Sequence, residues 1–176
     1  MLYKEFNPSY YSFENVNDDN SYKNEVYENV ENPNNNLMKL YPSKNIFKIG
    51  NYFTEESKNE LISKCKFNTK SRRDAWVKLS SMNDLVDKIE KTINIPRKFY
   101  ENINVVEYIK NNQHQPHYNA YDLQSDNGKK YTEKLGQRVI TISLFLENNM
   151  KVSFPSLNCS HEFQRGDFLM YNNVIN

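Results

Sequence analysis

The chain has 176 residues and a mass of 21.0 kDa, a length that predicts one domain and leaves room for a tail. With 38% hydrophobic residues it can bury a core, and its net charge of +1 gives no basic surface for nucleic acid. No apolar run approaches the roughly 18 residues of a membrane span, and the N-terminus lacks the features of a signal peptide. Cys65 and Cys159 stand alone, without the spacing of a disulfide framework or zinc site. We therefore expect a cytoplasmic protein that binds neither nucleic acid nor membrane.

Residues 1–45 are rich in Asn, Asp, Glu and Tyr and include the run "ENPNNN". No hydrophobic period of 2 or 3.6 residues persists through them, so this segment is predicted to be a mostly disordered lead-in. A domain is expected over residues 46–176.

The first half of this domain predicts one strand and two helices. "NIFKIGNYF" has the apolar residues of a short strand, and "TEESKNELISKCKF" predicts a helix with Thr54 as its N-cap and two acidic residues in the first turn. A second helix is predicted near residues 81–94 from apolar residues at helical spacing, with Pro96 just beyond its end.

After Pro96 the pattern becomes that of strands. "INVVEYI" and the longer "RVITISLFL" are rich in β-branched and aromatic residues, and "HQPHYNAY" is predicted to be extended. Three short strands, "KVSFP", "CSHEF" and "DFLMY", complete the chain, with Gly166-Asp167 as a turn before the last. Helices followed by several strands predict an α+β fold with a sandwich or barrel of strands.

Several segments follow one another in the order and spacing of a known family. They are "NYFTEESKNELI", "SRRDAW", "VVEYIKNNQHQPHYNAYD" with its "GKKYTEKLGQR" loop, "GQRVITISLFL", "SFPSLN" and "QRGDFLMYNN". Together they resemble prolyl-4-hydroxylase-like dioxygenases of the Fe(II)- and 2-oxoglutarate-dependent superfamily, over about residues 46–176. The resemblance implies a double-stranded β-helix, a jelly-roll-like barrel with supporting N-terminal helices.

The resemblance also implies a site. In the family a His-x-Asp and a later histidine hold the iron, which leaves room for 2-oxoglutarate and oxygen. His117 takes the first-histidine position and Asn119 takes the carboxylate position. Tyr108 matches a tyrosine that helps hold 2-oxoglutarate, and Thr141 lies on the strand that lines that pocket. Asn119 keeps an oxygen donor but lacks the negative charge, so weaker Fe(II) binding is expected.

The late histidine and the basic partner of 2-oxoglutarate normally follow the "GDFLMYNN" strand, and the sequence reaches Asn176 before either. The expectation is a β-helix incomplete at its C-terminus, truncated or a fragment, with open strand edges through which the chain could self-associate. The "ENNMKVSFP" segment also lacks the Gly-Gly turn that relatives usually carry.

Other candidate ligands are weaker. Strand alternation would place Asp122 and His114 on the opposite face from His117, and His161 comes too early to be the late histidine. The cationic run in the predicted loop could attract an anion, although loops often carry such charges: Lys129, Lys130, Lys134 and Arg138. Arg72, Arg73 and Trp76 match an Arg and a Trp of relatives; substrate contact and a charge pair beside a core tryptophan are both open.

By ancestry the expected function is oxidative hydroxylation of a peptidyl proline, with Fe(II), 2-oxoglutarate and ascorbate. With a neutral residue at position 119, we expect activity to be absent or impaired. The alternative is a non-catalytic pseudoenzyme that binds a proline-containing peptide or protein without metal.

Overall fold

The computed structural model describes residues 37–39, 46–67, 72–108 and 115–173. These residues contain three α-helices and eight strands, all paired antiparallel, which confirms the α+β class. They divide into two compact units, one formed by residues 54–115 and the other by the described residues before and after that segment.

The unit of residues 54–115 alternates helix and strand: α1 (Glu55–Ser63), β3 (Arg72–Val77), α2 (Asn83–Ile93) and β4 (Ile103–Tyr108). Thr54 caps α1 as predicted, because its hydroxyl accepts a hydrogen bond from the Ser57 amide at 3.2 Å. α2 buries the predicted apolar stripe and ends where Asn94 adopts a left-handed conformation with φ of 54°.

β3 is an element that the sequence analysis did not assign as a strand. It pairs with β4 along its whole length, from Arg72 opposite Tyr108 to Val77 opposite Ile103. Ala75 and Val105 face each other and are buried, so cross-strand burial stabilises a segment, "RRDAWV", of which half the residues are charged.

The other unit contains β1 (Leu37–Lys39), β2 (Ile46–Ile49), α3 (Asp126–Leu135), β5 (Ile140–Leu144), β6 (Met150–Phe154), β7 (Cys159–Phe163) and β8 (Phe168–Asn172). Four strands form a sheet in the order β1-β2-β8-β5, and β6 pairs with β7 in a separate two-stranded sheet. The last strand therefore inserts between an early strand and β5. None of the sheets in the described residues closes into a barrel.

The core of this unit lies against β8 and β5. Phe163 and Leu169 are fully buried, and the ring of Phe163 stacks on that of Phe145 with centroids 4.3 Å apart. Ile46 completes the buried cluster, against which partly buried residues of β6, of the following turn Pro155–Leu157 and of β8 also pack. Aromatic rings thus lie at the centre of this core, as the aromatic-rich composition predicts.

The predicted turn before the last strand is confirmed. Gly166 has φ of 91°, a conformation that favours glycine, and Asp167 is buried. The carboxylate of Asp167 accepts a hydrogen bond from the backbone N–H of Gln164 at 2.9 Å and forms an ion pair with Lys48 on β2 at 2.7 Å. The turn is thereby attached to the neighbouring strand.

One prediction about local structure was wrong. The "GKKYTEKLGQR" segment is not a loop, because most of it forms α3, capped by the Ser125 hydroxyl, which accepts from the Gly128 amide at 3.0 Å. A Cβ atom at Gly128 would lie 1.8 Å from the carbonyl oxygen of Asp122, so glycine is required inside this helix. Residues 37–39, within the lead-in predicted to be mostly disordered, form β1 and pair with β2, while the other residues of the lead-in lie outside the described part of the chain. In the described part of the chain, no helix has the length and apolar character needed to cross a membrane.

Candidate functional site

The segment that carries His117 follows no regular secondary structure from residue 115 to residue 120. His117 is exposed, and Tyr118 is 86% exposed. Because this segment forms no strand, strand alternation does not decide where Asp122 points. Asp122 instead begins a turn into α3, and its side chain accepts a hydrogen bond from the backbone N–H of Gln124 at 2.9 Å. His114 lies outside the described residues.

Asn119 joins this segment to the β5–β8 strand pair. Its side-chain amide nitrogen donates to the hydroxyl of Thr141 on β5 and to that of Tyr171 on β8, both at 2.9 Å. Thr141 and Tyr171 are direct cross-strand partners, so one amide group bonds to both strands at the same level. Two of the residues predicted for the site, Asn119 and Thr141, are therefore in direct contact.

The same network continues beyond Thr141. Its hydroxyl donates to the side-chain oxygen of Asn173 at 2.8 Å, and the Asn173 amide nitrogen donates to the carbonyl of Arg138 at 3.0 Å. The backbone N–H of Asn173 also donates to the carbonyl of Val139 at 2.9 Å. The chain of side-chain hydrogen bonds thus runs from the histidine segment to the backbone where β5 begins.

A second attachment lies two residues after Asn119. The side chain of Gln137 accepts from the backbone N–H of Tyr121 at 2.7 Å and donates to its carbonyl at 2.9 Å, which reproduces the pairing of a neighbouring strand. The ring of Tyr121 contacts the guanidinium of Arg138, 4.6 Å from its centroid, and stacks on the ring of Tyr131 at 5.5 Å. The segment is consequently held through its side chains and backbone together.

The positive charges of the α3 region do not all lie at this site. Arg138 is engaged with the Tyr121 ring, whereas Lys129, Lys130 and Lys134 are exposed on α3. Nothing in their contacts distinguishes these lysines from the solvated face of an ordinary surface helix.

The described residues do not match an iron-binding set. No group of three or more His, Cys, Asp and Glu side chains comes together in them in an arrangement able to hold a metal ion. His161 lies on β7 opposite Val152, with its ring 6.5 Å from that of Phe154. At the predicted carboxylate position the described contacts of Asn119 are both made by its nitrogen, which is not a metal donor.

The remaining candidates lie in the unit of residues 54–115. Tyr108 ends β4 and is 37% exposed. Arg73 forms an ion pair with its cross-strand partner Glu107. Trp76 is 57% exposed, so it is not the core tryptophan of one of the two alternatives. Burial raises the pKa of Cys65 in this unit and of Cys159 in the other, which makes both thiols poorer nucleophiles at neutral pH.

Sequence reasoning did not identify three members of the site: Gln137, Tyr171 and Asn173. Each acts through a contact with a residue 16 to 52 positions away. All three lie within segments quoted for the family resemblance, Gln137 in "GQR" and the other two in "MYNN", and that was their only signal.

Comparison with the known protein families gives no match. A search of curated proteins finds one from Acanthamoeba polyphaga mimivirus, described as "Putative prolyl 4-hydroxylase", which is 24% identical over 161 residues. The alignment covers 85% of this chain and 66% of that protein, so the chain spans just under two thirds of the relative's length. The chain is distantly similar to a prolyl-4-hydroxylase-like protein.

Proposed function

We propose that residues 46–176 form a prolyl-4-hydroxylase-like domain of the Fe(II)- and 2-oxoglutarate-dependent dioxygenases, in which a hydrogen-bonded amide replaces the iron-binding carboxylate. The distant relative and the collinear motifs support the dioxygenase-like assignment. The observation that carries the rest is the pair of 2.9 Å bonds from the Asn119 amide nitrogen to Thr141 and Tyr171.

The strand order is compatible with a double-stranded β-helix. That fold interleaves strands from early and late parts of the chain, and here β8 lies between β2 and β5 while β6 and β7 form a separate hairpin. The described strands form an open arrangement, and we propose that they belong to a double-stranded β-helix.

The cofactors that the family implies are Fe(II), 2-oxoglutarate and ascorbate, and the described residues do not fit an iron centre. His117 offers one neutral donor, and Asn119 offers at best an uncharged oxygen, whereas Fe(II) in such sites is bound by two imidazoles and a carboxylate. Thr141 is also occupied, since its hydroxyl bonds to both Asn119 and Asn173. We therefore propose that residues 1–176 bind iron weakly and hydroxylate proline poorly or not at all.

The test is a titration of the 176-residue chain with Fe(II) under anaerobic conditions, or with Mn(II), by calorimetry at micromolar metal. We expect no stoichiometric site, and no succinate release above background with 2-oxoglutarate and a proline-rich peptide. His117→Ala is the control, because a real site at this position would be lost in it. One tight site per chain that disappears in His117→Ala would contradict the proposal.

The second candidate is a non-catalytic module that binds a proline-containing peptide. It is favoured by the way the site residues hold the segment through their hydrogen bonds and ring contacts with one another. The two candidates differ in a binding experiment with proline-rich peptides in EDTA. Binding without metal supports the module, and binding that requires added Fe(II) or Mn(II) supports an enzyme.

A further inference from the structure

The hydrogen bonds that link Arg138, Asn173, Thr141 and Asn119 form a chain with a fixed direction. The carbonyl of Arg138 can only accept, so the Asn173 side chain must turn its NH₂ group toward it. The oxygen of Asn173 then faces Thr141, and the single hydroxyl proton of Thr141 is used to donate to it. The Thr141 oxygen is left to accept, and its partner Asn119 must donate.

This direction sets what position 119 can be. We infer that Asn119 is a positioning residue whose amide N–H groups attach the His117 segment to β5 and β8, and that a carboxylate of the same shape cannot replace it. An aspartate would turn an acceptor oxygen toward the Thr141 oxygen, which has no second proton to give. If Thr141 rotated to donate to the aspartate, Asn173 would lose its donor instead.

The network is half-buried, so the loss of one of its hydrogen bonds should lower stability. Asn119, Thr141, Tyr171 and Asn173 are all half-buried, and the ring of Tyr171 packs edge-on against Phe154 with centroids 5.2 Å apart. A polar group that loses its partner in such surroundings is not fully compensated by water. Tyr171 therefore connects the apolar core to the amide that holds the histidine segment.

The inference also explains why asparagine stands where the family resemblance implies a carboxylate. In this chain the position donates a hydrogen bond to Thr141 and another to Tyr171. The Tyr171 hydroxyl could donate its own proton to a carboxylate, whereas the Thr141 proton already goes to Asn173, so it is the bond to Thr141 that requires an amide. Restoring the carboxylate alone would disturb the segment that carries His117. Only the role of His117 rests on the proposed function; the hydrogen-bond directions do not.

The experiment compares the thermal unfolding of four 176-residue proteins: wild type, Asn119→Asp, Asn173→Ala and the double variant. We expect Asn119→Asp to lower Tm by about 3–8 °C, as for a buried hydrogen-bonding group without a partner. In the Asn173→Ala background Thr141 is released to donate to the aspartate, so the same substitution should lower Tm by less than half as much. A Tm unchanged by Asn119→Asp, or an equal fall in both backgrounds, would overturn the inference.

Hydrogen exchange shows which part of the chain is destabilised by Asn119→Asp. Hydrogen exchange of residues 115–125 should become about tenfold faster in Asn119→Asp, while the β6–β7 hairpin is unchanged. Asn172→Asp is the matched control, because it adds the same charge on β8 next to Tyr171. The side chain of Asn172 makes no hydrogen bond within the described residues, so this variant should leave residues 115–125 as in the wild type. Faster exchange throughout the chain in Asn119→Asp, or an equal change in the control, would contradict a positioning role.

If Asn119→Asp does not fold, Tyr171→Phe decides the question. It keeps the ring against Phe154 and removes one of the two acceptors of the Asn119 amide. Faster exchange confined to residues 115–125 supports the inference, and unchanged exchange there overturns it. Because none of these measurements involves metal, 2-oxoglutarate or peptide, their failure is distinguishable from failure of the proposed function.

Discussion

The β5–β8 strand pair has two ends of opposite character. At one end Leu144 faces Phe168, which is fully buried, and the next residue, Phe145, stacks on Phe163. At the other end Thr141 faces Tyr171, and their hydroxyl groups bond to Asn119. The same pair of strands thus contributes to a buried aromatic core at one end and to a half-buried polar network at the other, a few residues away.

The difference shows two ways of holding a structure together. Apolar packing is non-directional, so its strength follows the area and volume that are buried. The polar network depends on which atom donates and which accepts, so a substitution that preserves size can still break it. The apolar end should therefore respond to changes in size and the polar end to changes in hydrogen-bonding capacity.

The largest expected effect is at the apolar end. Phe163→Ala removes a fully buried ring and should lower the free energy of unfolding by about 3–5 kcal/mol, out of a total of about 5–15 kcal/mol for a domain. Urea unfolding followed by circular dichroism measures it. Leu135→Ala, at a side chain that is 53% exposed, is the control and should change stability by about 0.5 kcal/mol or less. Similar losses in both variants would mean that Phe163 is not in the core.

The next effect concerns the ion pair between Asp167, just before β8, and Lys48 on β2. Asp167→Asn leaves Lys48 without its 2.7 Å partner and should cost about 1–3 kcal/mol, since the carboxylate is buried while Lys48 is partly exposed to water. Lys151→Gln, an exposed charge on β6, should have little effect in the same urea titration. A loss from Asp167→Asn that vanished in 1 M salt would identify a surface interaction instead.

The polar end is probed by two substitutions of Thr141. Thr141→Val keeps the shape but removes the hydroxyl that relays between Asn119 and Asn173, and should cost about 1–2 kcal/mol. Thr141→Ser keeps the hydroxyl and should cost less than half of that. Chemical unfolding of both variants measures the ratio. An equal loss would show that the methyl group, and not the hydrogen bonds, stabilises this end.

The smallest effect is expected at the second attachment of the histidine segment. Gln137→Glu still offers an oxygen to the Tyr121 amide but cannot donate to the Tyr121 carbonyl, so about 0.5–1.5 kcal/mol should be lost. Hydrogen exchange at residues 119–123 should rise in this variant, whereas exchange around Phe163 should not. A uniform rise would show that Gln137 stabilises the whole unit.

Local patterns in the sequence predicted much of the fold. The Thr54 cap, the apolar stripe of α2 and the Gly166-Asp167 turn each depend on neighbouring residues in the sequence, and all three are present in the structure. The prediction failed at α3 because a charged, glycine-containing segment has weak helical signals. Its helix depends on the Ser125 cap and on the close contact between Gly128 and Asp122. β3 was missed for a related reason, since its pairing partner β4 lies about thirty residues away.

The candidate site was predicted only in part. The sequence brought His117, Asn119 and Thr141 to attention through the resemblance, and Asn119 and Thr141 are in contact. The roles of Gln137, Tyr171 and Asn173 could not be predicted, because each bonds to a residue that is distant in the chain. Whether His117 and Tyr108 act in binding or catalysis stays a prediction.

By itself the sequence determined where most helices and strands form, since capping, apolar period and turn residues act over a few neighbours. It also determined that position 119 carries no charge. Only the tertiary structure decided what that amide does. The insertion of β8 beside β5 brings Tyr171 and Asn173 to Thr141, and the fixed acceptor at the Arg138 carbonyl then sets the direction of every bond back to Asn119. Hydrogen-bond direction depends on groups far apart in the chain, so no local pattern could have specified it.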